Sequence, residues 1–239
     1  MSDVERTEPG PIPITRDMLE PPAPDPRAGR IDFERGMTYA PPLTLTLLTF
    51  LAGVFIRQMA LGELATPEAV IASGALVRER VLAGEWWRML TATALHGSVE
   101  HLVGNGVSLY TLGIACERAF GGRRFTAIYL LSGLGGSALS MLVSPGPSVG
   151  ASGAIFGVMG ALIAYLIKYQ DRFYVRDKRI GIVLLVWACF TLVQGITSPY
   201  IDNGAHLGGL MVGILAGLFV PSEQLEQAAT RKVLPPARG

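Results

Sequence analysis

Apolar positions in this chain are gathered into long runs instead of recurring at amphipathic spacing. The runs, at about Leu43 to Leu61, Leu90 to Cys116, Phe125 to Val143, Val149 to Ile167, Ile180 to Thr197 and Gly204 to Val220, lie near the roughly 20 residues a helix needs to cross about 30 Å of hydrocarbon. The pattern predicts an all-α membrane protein with six transmembrane helices, the second being the least apolar. Composition agrees, since 50% of the 239 residues are hydrophobic and only 16% are charged.

The flanks differ from the runs. Met1 to Pro42 holds nine of the sixteen prolines and shows no sustained periodicity, so residues 1–42 read as a disordered Pro-rich tail. Residues 43–220 form the expected helical domain and 221–239 a second tail. The acidic content of the first tail argues against a mitochondrial presequence, and no apolar core with a small-residue cleavage site precedes Leu43. Lys and Arg cluster after the second run (Arg118, Arg123, Arg124), after the fourth (Lys168, Arg172, Arg176, Lys178, Arg179) and in the last tail. The connections after the third and fifth runs have none, so the positive-inside rule places both termini in the cytoplasm, the expected membrane being a bacterial inner membrane. The connection Gly62 to Met89, with Arg78, Arg80 and Arg88, is the exception; its length and four glutamates weaken the contradiction.

Chemistry enters with three histidines, His96, His101 and His206, and an isolated Ser152, all in or beside apolar runs. Polar groups at membrane depth are functional candidates, because each is costly unless it is paired or lines a wet cavity. In the expected topology His96, His101, Asn105, Ser152 and His206 all fall in the outer half of the membrane. Read as one helix, the second run puts His101 and Asn105, four apart, on one face, and His96, five from His101, about 140° away. That spacing disfavours a metal site, since Glu100 stands beside the second histidine instead of supplying an H-E-x-x-H pattern, and Cys116 and Cys189 form no C-x-x-C. Both cysteines read as packing residues.

The stretch V-G-A-S-G-A-I-F-G, Val149 to Gly157, opens the fourth run with Ser152 among glycines, near the unpaired N–H groups and positive end of a helix. Ala154 stands where a soluble hydrolase elbow has its last glycine, so the match to that motif is partial. Gly209, Gly213 and Gly217 recur every four residues after His206 and would press the sixth run against the glycines of the fourth. His206 can then reach Ser152, and an imidazole suits the task of taking a serine proton at neutral pH. Asp202, four residues before His206, reads as a solvated loop charge rather than a third member.

These residues resemble the rhomboid family of intramembrane serine proteases. The likeness covers about Leu43 to Val220 and includes G-A-S-G-A-x-x-G at Gly150 to Gly157, A-H-x-x-G-x-x-x-G at Ala205 to Gly213, and H-x-x-x-x-H-x-x-x-N at His96 to Asn105. Trp87 and Arg88 resemble the family's W-R pair, and Glu117 to Gly121 its E-R-x-x-G segment. The resemblance implies a six-helix rhomboid bundle in which Ser152 is nucleophile and His206 general base. His101 and Asn105 would hold the oxyanion with the Ser152 N–H, Phe156 would stack on the catalytic imidazole, and Gly150 and His96 would support the site. It further implies transmembrane proteins as substrates and no cofactor or metal. The first loop remains open between an interfacial anchor, with Trp86 and Trp87 at the surface and Arg88 snorkelling, and a partly embedded structural element. The basic residues are topology signals and do not suggest nucleic acid. A silent client-binding relative and a small transporter are the alternatives; the presence of both Ser152 and His206 disfavours the first, and the lack of an internal repeat the second.

Overall fold

The computed structural model describes residues 30–144, 146–198 and 201–233. Helix α1 (Pro42–Ala60) is followed by a first loop carrying the short helices α2 (Pro67–Ala72), α3 (Arg78–Leu82) and α4 (Arg88–Thr91). The long helices α5 (Val99–Phe120), α6 (Gly122–Val143), α7 (Ser152–Lys168), α8 (Val175–Thr197) and α9 (Asn203–Phe219) come next, then α10 (Glu223–Val233). Among the described residues, extended pairing is limited to two isolated bridges, Ile31 with Phe173 and Leu76 with Ser148.

The fold is all-helical, and four stretches are long and apolar enough to cross a membrane: Pro42–Ala60, Gly122–Val143, Arg179–Ile196 and one beginning at Asn203. The two remaining runs depart from that standard for physical reasons. α5 carries Glu100, Glu117 and Arg118. α7 has 17 residues, and every residue from Gly153 to Leu166 is buried, so its neighbours shield it and it needs neither full length nor a polar face.

The second run is not one helix. The chain leaves α4 after Thr91 and restarts at Val99, where the Ser98 hydroxyl accepts the His101 N–H at 3.2 Å as an N-cap. His96 therefore lies in the connection, and the 140° separation computed for a continuous helix does not apply. Hydrophobicity alone could not show this break, because Ala92, Ala94 and Leu95 continue the apolar run outside a helix, Ala92 and Leu95 buried and Ala94 partly so.

α7 is the centre of the bundle, and α9 lies against it backbone to backbone. A Cβ on Gly209 would collide with the Gly153 carbonyl, one on Gly213 with that of Gly157, and one on Gly217 with that of Ala161. The four-residue glycine spacing thus brings the two helices closer than side chains would allow. α8 is peripheral by contrast, with Ile182, Val183, Val186, Phe190, Val193 and Ile196 exposed, as expected of a face covered by lipid.

The first loop is a built element. Arg88 is 2% exposed, donates Nε to Glu85 at 2.5 Å and Nη1 to the carbonyls of Ile71 and Ala75 at 2.7 and 2.9 Å, and so does not snorkel. Thr91 ties to the Gly74 carbonyl and Ser137 to that of Met89. Trp86 and Trp87 are exposed beside it. Arg57 pairs with Glu63 at 3.0 Å.

The tails are also revised. Residues 1–29 lie outside the described residues, but the packed body begins before Leu43: Phe33 is 2% exposed, its N–H donates to Asp177, and its carbonyl accepts from Gln224. Beyond α9, Ser222 donates to the Ala119 carbonyl at 2.7 Å and α10 closes over the same end.

Candidate active site

Three helix N-termini, those of α5, α7 and α9, meet at one end of the bundle. Each is placed by local chemistry: Ser98 caps α5, Asp202 caps α9 by accepting the Ala205 N–H at 2.9 Å, and α7 starts after Gly150. Gly150 has φ 128°, a backbone region that side chains rarely adopt, and its N–H donates to the Ala92 carbonyl at 2.9 Å. Two bonds between Leu76 and Ser148, 2.9 and 3.0 Å, fasten the same turn to the first loop. The first loop therefore holds the turn that presents Ser152.

The expected site residues lie around that turn. A Cβ at Gly150 would stand 2.7 Å from His101 Cε1, 2.8 Å from His101 Nε2 and 3.5 Å from Asn105 Nδ2. Only glycine lets His101 and Asn105 sit so near the residue two before Ser152. Asn105 is buried, and its Nδ2 donor has no partner in the protein. On the other side Phe156, one turn after Ser152, stacks on His206 with centroids 4.1 Å apart and planes 6° from parallel. His206 is 6% exposed, and its Nδ1 is enclosed without a partner. The glycine contacts of α9 with α7 set the height of His206 beside Ser152; Gly153 itself lies against the Ala205 carbonyl.

His96 joins this group by a route the sequence did not suggest. It is fully buried, its backbone N–H donates to Gln58 Oε1 at 3.1 Å, and its ring meets His101 edge-on at 5.1 Å. It packs behind His101 and links the end of α1 to the site.

Asp202 is not a solvated loop charge. Besides capping α9, it accepts Ser140 Oγ and Ser144 Oγ, each at 2.5 Å. Burial alone would raise its pKa, but hydrogen bonds from Ser140, Ser144, Ser148 and the Ala205 N–H hold it below the usual carboxylate value. The signal that could have found it is positional: aspartate immediately before N-G-A-H is a favoured N-cap residue. Ser140 near the end of α6 and Ser144 at its C-cap carried no sequence signal of their own. Among the described residues no group of three or more His, Cys, Asp or Glu is arranged to hold a metal ion.

The family model described as the Rhomboid domain matches residues 83–223. The chain is 41% identical over 149 residues to Rhomboid protease GluP of Bacillus subtilis (strain 168), an alignment covering 62% of this chain and 29% of that protein. It is 38% identical over 166 residues to RHOMBOID-like protein 5 of Arabidopsis thaliana, covering 68% and 53%. With Rhomboid protease AarA of Providencia stuartii the identity is 32% over 203 residues, covering 74% and 71%. The chain thus spans about a third to a half of the length of the first two relatives and most of the third. With an all-helical fold rich in apolar spans and a family match running from the first loop to the end of α9, the chain is an integral membrane protein of the rhomboid family.

Proposed function

We propose that this chain is an intramembrane serine endopeptidase that cleaves peptide bonds in or next to transmembrane segments of other membrane proteins. The observation that carries the reading is the stacking of Phe156 on His206 one turn from Ser152, opposite the Gly150 turn that admits His101 and Asn105. Ser152 Oγ attacks the scissile carbonyl carbon while His206 takes the hydroxyl proton. Nδ1 is enclosed, which leaves Nε2 as the nitrogen for that step. The carbonyl oxygen becomes an oxyanion held by His101, the Asn105 Nδ2 donor and the Ser152 N–H at the start of α7. His206 then passes its proton to the leaving amine, and water repeats the sequence on the acyl-enzyme. Phe156 performs part of the orienting that an aspartate performs in a soluble triad.

In this reading all six long helices cross the membrane, both termini are cytoplasmic, and the membrane is a bacterial inner membrane. A 17-residue α7 is about 26 Å long, short of a roughly 30 Å hydrocarbon layer, so the serine at its head is recessed and water must enter from outside. A substrate helix has to unwind there to present its carbonyl. Ser152→Ala is expected to abolish cleavage of a tagged single-span substrate by the purified protein without impairing membrane insertion. Cleavage retained by that variant overturns the proposal.

A further inference from the structure

His206 changes charge in the reaction proposed above, and its imidazolium must form in a buried place. Among the described residues its buried Nδ1 has no partner, so no carboxylate bonds to that nitrogen. The ionisable groups around it are few. At the head of its own helix there is Asp202; on α5 there is His101, with His96 behind it, and the neighbouring Glu100 is exposed. The end of α6 and the turn after it contribute the hydroxyls of Ser140, Ser144 and Ser148, α7 contributes that of Ser152, and the last two turns of α8 hold no ionisable side chain. Among the described residues Asp202 is thus the one partly buried anion beside a site that otherwise holds two further imidazoles. It lies one helical turn before His206, whose N–H donates to the Asp202 carbonyl at 3.1 Å.

We infer that Asp202 is a positioning residue for the proposed dyad, a fixed counter-charge acting on His206 across one helical turn. Its carboxylate is consumed by structural donors on both oxygens, Ala205 N–H and Ser144 Oγ on Oδ1 and Ser140 Oγ on Oδ2. Those bonds keep it ionised and immobile, and they anchor the head of α9 to the end of α6. Such a charge costs no reorganisation when the imidazolium appears, which is how a preorganised dipole or ion stabilises a developing charge. It supplies through space what a triad aspartate supplies by contact, while Phe156 supplies the orientation.

The inference rests on the Ser152–His206 reading, and the experiment separates the two. Asp202→Asn keeps a capping oxygen and removes the charge; Asp202→Ser keeps a capping hydroxyl and serves if the first variant misfolds. Cleavage is followed against pH beside labelling of Ser152 by a fluorophosphonate. A base must be neutral to act, and an anion nearby favours its protonated form. Loss of the charge therefore moves the acid limb of kcat/KM to lower pH, by about half to one unit, and lowers the plateau roughly three- to tenfold. A purely structural Asp202 would lower the unfolding midpoint and leave the limb in place, and an unmoved limb in a folded, labelled variant overturns the inference. Labelling of Ser152 that persists in His206→Ala instead removes the dyad reading itself.

Discussion

The two ends of the bundle both gather buried polar side chains, but they use them differently. At the end away from Ser152, the Ser222 hydroxyl donates to the Ala119 carbonyl and accepts the Leu225 N–H, the Tyr165 hydroxyl donates to Gln224, and Gln224 donates to the Phe33 carbonyl. At the serine end Asn105 Nδ2 and His206 Nδ1 are buried and bonded to nothing in the protein. Burying a polar group without a partner is unfavourable, so natural folds rarely leave one unless the site has another use for it. The lesson is that polarity inside a membrane fold does not by itself mark chemistry. Unspent polar capacity marks it only where it lies beside a candidate nucleophile, since Arg118 Nε at the opposite end and the Tyr129 and Ser132 hydroxyls on α6 are also buried without a partner.

The contrast is sharpest at Asn105. Asn105→Ala removes a donor that supports no structural bond, so it is expected to lower kcat about a hundredfold, the usual loss for one oxyanion donor. Stability should be unchanged or slightly higher, because an unsatisfied buried amide disappears with it. Parallel measurement of turnover and of thermal unfolding in detergent checks both halves. An unfolding midpoint that falls together with turnover would mean that Asn105 is structural, and the distinction between the ends would fail.

Phe33→Ala is the complementary change. Phe33 packs edge-on against Phe173 at 5.8 Å and beside Tyr165 at 6.3 Å, so truncation opens a cavity worth about 3–5 kcal/mol. Unfolding should occur at markedly lower temperature or denaturant. Below that transition kcat should stay within about twofold of the parent, since no group at the serine end moves. A kcat that collapses in fully folded protein would show the two ends to be coupled.

How much of this was legible in the sequence follows the same division. Ser152, His206, His101 and Asn105 stood out because small-residue spacing and isolated polarity in apolar runs are visible one residue at a time, whereas Phe156 was named only through the resemblance to the rhomboid family. The structure brings all five to one end of the bundle. The break between α4 and α5 was illegible, since a buried connection and a buried helix share the same hydrophobicity. It moved His96 off the helix and against Gln58. Asp202 was misjudged, and Arg88 left open, for a related reason: a charge reads as solvated unless its partners are known, and theirs are distant backbone carbonyls and serine hydroxyls. The folding of residues 30–41 onto the body was masked by the Pro-rich segment before them, since only a few scattered apolar side chains, Phe33 with Ile31 and Met37, pack there against the core.

The finest test of the comparison is Tyr165→Phe. Tyr165 lies on α7, the helix that also carries Ser152, yet its hydroxyl sits at the far end, 3.1 Å from Gln224 Oε1 and 3.0 Å from the Ser222 hydroxyl. The ring is buried against Phe33, Phe120, Tyr169 and Phe173, and phenylalanine preserves all of that packing. Only the hydroxyl goes, which leaves Gln224 Oε1 short of a donor and costs about 1–2 kcal/mol. Turnover should be that of the parent, because Ser222 keeps the Ala119 carbonyl and α7 keeps its glycine contacts with α9. One helix then carries at its two ends a polar group whose loss is felt only in stability and one whose loss is felt only in catalysis. A Tyr165→Phe protein as stable as the parent would show that the satisfied network contributes little, and the contrast would then rest on packing alone.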